Sequence, residues 1–285
     1  MARSATNSAA RLANCAVLRS AIASLIFLLF GVGNAAADLF ISPLRVVFEN
    51  NERSATVVLA NQTDKTKTYR LEWTEKRAQQ DGSYKDFKPD PEYIGTSSLV
   101  RFSPRQVTLA GGEKQSVRLA LRRPKNLPSG EYRSHLMFTR LGGANRERQR
   151  KRGATGAGIQ LFLNLSFSIP VIVRHGDGTA TARISSARFI IDRMKRLNME
   201  VEIVREGGFS TYGDLSVFWQ AEPGAEDKKI GALNNVSIYH EIAKRRSLII
   251  LTEKALSSGV VRVVYAGRGE YSNRRWFDHR MQIGN

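Results

Sequence analysis

The 285 residues include 44 Lys and Arg against 26 Asp and Glu, for a net charge of +18, and only one cysteine. A lone thiol excludes a disulfide-stapled scaffold and a thiolate metal centre. So large a positive balance points to an acidic or anionic partner.

The chain opens with Arg3, Arg11 and Arg19, an apolar run over 21–32, and Ala35-Ala36-Ala37 before Asp38. A basic start, a short apolar centre and an A-x-A site predict a secretory signal over 1–37, cleaved before Asp38 and too short to span a membrane. The alternative is an N-terminal anchor helix. The cysteine, Cys15, would leave with the signal, and Leu12-Ala13-Asn14-Cys15 precedes the apolar run, which argues against lipidation. No other stretch is apolar enough to insert stably in a membrane. About 248 residues remain, enough for two domains of about 110–140 residues, each with its own hydrophobic core.

After the signal, short alternating segments recur between turn residues. Strands are expected near Leu44–Glu49, Ala55–Ala60, Tyr69–Thr74, Leu99–Phe102, Ser116–Leu121, Tyr132–Leu141 and Ile159–Arg174. Asn50-Asn51, Asp81-Gly82, Gly111-Gly112 and Pro128-Ser129-Gly130 separate them, and seven strands without a helical period read as a β-sandwich. Arg146-Glu147-Arg148-Gln149-Arg150-Lys151-Arg152 lies among Gly142, Gly143, Gly153, Gly156 and Gly158. That composition supports no core and predicts a solvated loop.

The longest segment is the most telling. From Ile159 every odd residue is apolar: Ile159, Leu161, Leu163, Leu165, Phe167, Ile169, Val171 and Val173. At ~3.3 Å per residue such a strand reaches about 53 Å, two to three times the usual length. One domain's core cannot use all eight side chains, so part of the strand is expected to serve another protein's core.

His175-Gly176-Asp177-Gly178 reads as a hinge between domains 38–174 and 175–285. Beyond it strands are expected near Ala182–Ile190, Met199–Arg205, Leu215–Gln220, Val236–Tyr239, Leu248–Leu251, Val260–Tyr265 and Trp276–Ile283, with a possible helical turn within Leu233–Lys244. The fold class is all-β, two sandwiches joined by a short hinge.

Enzyme motifs are missing. The four histidines stand apart, and the glycines of 153–158 precede a strand instead of following one and opening a helix. Asp86, Asp90 and Glu92 cluster in a proline-containing loop without a partner. No catalysis, metal or cofactor is expected. Nucleic acid is disfavoured as well, because the chain reads as exported and its aromatics form no stacking platform.

Four segments together resemble the periplasmic chaperones of the chaperone–usher pilus pathway, the PapD-like family. They are Pro43–Glu49 with Arg53–Asn61; Phe102-Ser103-Pro104 through Gly112–Leu119; Leu127–Ser134; and the long strand ending in Arg174. The resemblance implies two immunoglobulin-like sandwiches with a cleft between them and a role in pilus assembly. The long strand would then be lent to a pilus or fimbrial subunit lacking its own last strand, a form of β-augmentation. Ile159, Leu161, Leu163, Leu165 and Phe167 would contact the client, while Ile169, Val171 and Val173 continue into the chaperone's own core.

By the same resemblance Arg45 would grip the client's terminal carboxylate, Arg174 would stand at the hinge or between the domains, and an outer-membrane usher would be a partner. Arg45 also reads as an exposed arginine on a strand's polar face. The family's second carboxylate anchor, a lysine, falls here on Pro170, which has neither charge nor backbone donor. The alternative function is a non-catalytic envelope-binding protein whose basic surface holds an anionic polymer or lipid.

Overall fold

A computed structural model describes residues 38–49, 51–142, 166–222 and 224–284. The signal segment, the basic glycine-flanked segment 143–158, and Ile159, Leu161, Leu163 and Leu165 lie outside the described residues.

The first half contains β1 (Leu39–Ser42), β2 (Val46–Phe48), β3 (Ser54–Asn61), β4 (Lys67–Thr74), β5 (Lys76–Ala78), β6 (Tyr84–Asp86), α1 (Thr96–Leu99), β7 (Val100–Ser103), β8 (Gln106–Leu109), β9 (Lys114–Leu121), β10 (Gly130–Leu141) and β11 (Ser166–His175). Two sheets, ordered β1-β3-β9-β7 and β2-β11-β10-β4-β8, make the first sandwich. Alternation drives it. In β9, Val117, Leu119 and Leu121 point inward between exposed Ser116, Arg118 and Ala120. They meet Val57 and Leu59 of β3, Tyr69 and Leu71 of β4, and Leu136 and Phe138 of β10, all at most 7% exposed.

Local chemistry sets the corners. Gly112 takes φ +74°, and the Glu113 amide closes the turn onto Ala110 O at 3.1 Å. The Tyr132 hydroxyl donates to Pro128 O at 2.6 Å, the corner tyrosine common in immunoglobulin-like sandwiches.

The second half contains β12 (Thr181–Ile191), β13 (Leu197–Glu206), β14 (Thr211–Gln220), β15 (Lys228–Ile238), β16 (Lys244–Ile250), β17 (Gly259–Gly267) and β18 (Arg275–Ile283). Its sheets run β12-β13-β16 and β15-β14-β17-β18. Met199, Val201, Ile203, Leu215, Val217, Val261, Val263 and Tyr265 fill the space between them. The protein is therefore all-β, with two sandwiches and, among the described residues, one four-residue α-helix and one three-residue 3-10 turn at Gly269–Tyr271.

Three differences from the sequence reading have physical reasons. No helix forms in Leu233–Lys244: β15 runs to Ile238, and Ile242 N closes a turn onto Tyr239 O at 3.1 Å. β1 and β8, four residues each, lie beyond the expected strands: β1 directly follows the predicted signal, and β8 is set off from β7 by Pro104 and Arg105. The β5–β6 hairpin around Asp81-Gly82 has no apolar period of its own, because it rests on the second sandwich. Arg246 N donates to Gln80 O at 2.6 Å, and Ala78 N to Glu241 Oε1 at 3.1 Å.

Candidate functional site

The chemistry concentrates on the seam between the sandwiches. Cross-strand register places Glu131 opposite Arg174, Arg133 opposite Ile172 and His135 opposite Pro170. Residues two apart share a face, so these six line one surface of the β10–β11 pair. The opposite surface of β11 carries Ile169, Val171 and Val173, buried in the first sandwich. Ile172 is fully buried too, packed with Ala78 and Tyr239. From residue 171 onward β11 is thus covered on both faces.

Arg45 immediately precedes β2, whose Val46 pairs with Val171. Its side chain is 5% exposed, which removes the solvent-facing alternative. The guanidinium donates to Glu270 Oε1 from Nε (3.2 Å) and Nη2 (3.0 Å), to Ser210 Oγ from Nη2 (3.1 Å) and to Ser237 Oγ from Nη1 (3.4 Å). It also lies 4.7 Å from the Tyr212 ring centre. Burial alone would loosen its proton. The charges of Glu270 and Glu131 outweigh that, so Arg45 stays cationic. It borders a cavity of about 380 Å³ with Pro43, Asn235 and Arg268. A carboxylate arriving there meets a fork already occupied by Glu270.

Arg174 is the second buried cation. It donates to Glu131 Oε2 (3.0 Å), Glu49 Oε1 (2.8 Å) and Glu270 Oε1 (3.3 Å), so Glu270 joins Arg45 to Arg174. Glu131 Oε2 also accepts from Ser210 N and Oγ, at 3.0 and 2.9 Å. Burial would raise the Glu131 carboxyl, but His240 and the charges of Arg174 and Arg45 hold it down near 2. The network ties β2, β10 and β11 to the loops before β14 and after β17.

Sequence reading missed the other end of the seam. Arg133 bonds Glu241 and Lys76 O, and stacks on Tyr239. His135 lies beside Arg133 and against Tyr84, 5.0 Å between ring centres. Burial first, then Arg133 and Lys76, push the His135 imidazolium down to about 3, so it is neutral at pH 7. The available signal was the period-two polar series Glu131, Arg133, His135 directly ahead of the apolar Leu136-Met137-Phe138. Pro170, opposite His135, is half-buried and brings no charge.

Phe167 stands directly across from Phe138 in the first sandwich's own sheet, half-buried on the core side. β11 pairs with β10 from Ser166 to His175, but with β2 only at Val171–Val173. Among the described residues, the β2-side edge of Ser166–Pro170 has no strand partner. Ile159, Leu161, Leu163 and Leu165 precede this strand in the sequence. Among the described residues no group of three acids, histidines or cysteines could hold a metal, and no helix is long and apolar enough to cross a membrane.

No protein-family model and no curated protein matches the chain. Among solved structures, the YadV chaperone is 10% identical and aligns over 87% of this chain and 100% of its own, with a TM-score of 0.45. The CsuC–CsuE chaperone–tip adhesion subunit pre-assembly complex from archaic chaperone-usher Csu pili of Acinetobacter baumannii is 16% identical over 87% and 99% of the two chains, with a TM-score of 0.42. The Salmonella enterica SafA pilin in complex with the SafB chaperone matches at 12% identity over 88% and 99%, with a TM-score of 0.42. Each of these three solved chains aligns with this one over nearly its whole length.

Proposed function

We propose that this protein is a periplasmic chaperone that lends a β-strand to incomplete pilus or fimbrial subunits and delivers them to an outer-membrane usher. The domains of the mature chain would be 38–174 and 175–285, and no catalysis is involved. The observation that carries the reading is the open edge of β11 at Ser166–Pro170, continuous in sequence with Ile159, Leu161, Leu163 and Leu165. A strand anchored at one end and unpaired on one side suits pairing with another chain's backbone. Phe167, Ile169, Val171 and Val173 share the core-facing register, and the alternation carries that parity back to Leu161, Leu163 and Leu165. Burying those three side chains in a client is worth roughly 5–9 kcal/mol before ordering costs.

Arg45 is the proposed grip for the client's terminal carboxylate. Its fork suits two oxygens, and capture there means exchanging Glu270 for the incoming group.

The test expresses the tagged full-length protein and Leu163→Glu side by side, isolates the periplasm and identifies what co-elutes. The wild type should retain small secreted β-sandwich subunits through a 1 M NaCl wash, since apolar anchors are insensitive to screening. Leu163→Glu should lose them. Co-elution that survives the substitution, or dissolves in salt, would overturn strand lending and favour charge-based binding to the envelope.

A further inference from the structure

The turn between β12 and β13, Asp192-Arg193-Met194-Lys195-Arg196, is separated from the seam by the whole length of β13. Its shape is fixed from within. The Asp192 carboxylate accepts from Met194 N and Arg196 N, both at 2.9 Å, and from Arg196 Nε at 2.8 Å. Lys195 N donates to Asp192 O at 2.9 Å, with Lys195 at φ +58°, a left-handed conformation uncommon outside glycine. Asn198 Nδ2 donates to Arg196 O at 2.8 Å and ties the turn to β13. The acid of the turn is thus engaged by its own loop, and Arg193, Met194 and Lys195 are left exposed.

Met194 is 75% and Ile191 71% exposed, the two most exposed large apolar side chains among the described residues. Exposed Leu248 and Ile250 extend the apolar surface along β16. Ile250 lies abreast of Asn198, and Leu248 abreast of Glu200, on the face turned away from core residues Met199 and Val201. Among the described residues Arg193 and Lys195 form no ion pair. The acids of this face are matched: Glu200 by Arg188 at 2.6 Å and Glu202 by Lys244 at 3.4 Å. Exposed Glu222 and Glu226 lie between β14 and β15, in the other sheet. The unmatched charge beside the apolar tip is therefore positive.

We propose that this turn and the adjoining face of β16 dock reversibly on an anionic phospholipid bilayer. Met194 and Ile191 enter the boundary between headgroups and acyl chains, while Arg193 and Lys195 pair with lipid phosphates. An apolar pocket on a protein would have to bury the cations on both sides of Met194, which is costly. A bilayer supplies both layers at once, with apolar chains below and negative headgroups at the level of the cations. The long Arg and Lys stems let the charges stay among the headgroups as the apolar side chains sink. So short an apolar segment is far from a membrane span, and the contact is peripheral. The proposal is independent of strand lending.

Co-sedimentation of the protein purified from the periplasm tests this, with phosphatidylcholine vesicles that contain or lack phosphatidylglycerol. Binding is expected only with phosphatidylglycerol, and weaker at high salt. Met194→Ser and Ile191→Ser should each weaken it about tenfold by losing apolar burial. Arg193→Ala should weaken it about fivefold, the effect of one cation near the surface. All three should melt as the wild type does. Arg118→Ala, which removes an exposed cation from β9 of the first sandwich, should leave binding intact. An environment-sensitive fluorophore on the Met194→Cys variant should shift to the blue with the anionic vesicles. No binding to those vesicles, binding that Met194→Ser leaves unchanged, or equal losses in Arg118→Ala and Arg193→Ala would overturn the proposal. Cross-linking from position 194 to an envelope protein, without vesicle binding, would overturn it in favour of a protein partner.

Discussion

Arg133 of the first sandwich lies with its guanidinium carbon 4.0 Å from the ring centre of Tyr239 in the second. The contact is buried on both sides, since Arg133 is 5% and Tyr239 2% exposed. Tyr239 also packs Ile172 and Ala78, and accepts a hydrogen bond from the Tyr84 hydroxyl at 3.2 Å. One ring therefore gathers a strand, a hairpin and a cation from the other sandwich.

Tyr239→Ala should accordingly cost about 3–5 kcal/mol, the range for removing a buried aromatic ring. Tyr239→Phe keeps the ring and loses one hydrogen bond, for about 1 kcal/mol. Urea unfolding of the two variants checks the ordering.

Glu131 is fully buried against Arg174, so Glu131→Gln should destabilise by about 3–5 kcal/mol by removing the only fully buried carboxylate of the three that hold that guanidinium. Arg183→Ala breaks an exposed pair with Glu206 and should change stability by less than about 0.5 kcal/mol. Equal midpoints in guanidinium chloride would show that the buried network contributes nothing specific.

Acid should weaken the fold before carboxylates titrate. His135 has its pKa lowered from 6.5 to about 3 in the folded protein, so below pH 6.5 the unfolded chain binds a proton that the fold refuses. Stability then falls as pH falls, by up to about 1.4 kcal/mol per pH unit for that proton. Glu131, lowered from 4.5 to about 2, adds a second loss below pH 4.5. His135→Gln should flatten the stability profile between pH 6.5 and 4.5 and leave only the Glu131 loss from there down to about pH 3, as read from melting temperatures across that range.

Client capture should discriminate between two substitutions of Arg45. Arg45→Lys keeps the charge and loses the paired donors; Arg45→Ala loses both and should bind more weakly. Titration with a peptide that ends in a free carboxylate, alongside its amidated form, separates the grip from general weakening. Equal affinities for the two peptides in the wild type would remove Arg45 from the site.

Strands whose two faces see different surroundings are legible in the sequence. Val117, Leu119 and Leu121 in β9 alternate cleanly with exposed Ser116, Arg118 and Ala120. The seam reads poorly for the opposite reason. Ile172 and Arg133 are buried by residues of the other sandwich, such as Tyr239 and Glu241, which lie far along the chain. Arg45 stood out through the family resemblance, but its occupation by Glu270 depends on a loop some 225 positions away. No local pattern encodes such a partner.

The β10–β11 ladder carries a mechanical consequence. Ten residue pairs, from Gly130 with His175 to Thr139 with Ser166, lie side by side in one unbroken register. A pull applied at the Ser166 end and directed along the strand loads the whole ladder in shear, sharing the force among all its rungs. A pull directed sideways would open the ladder one rung at a time. A partner attached in line with β11 can thus be tugged away while the sandwich that holds the strand stays intact.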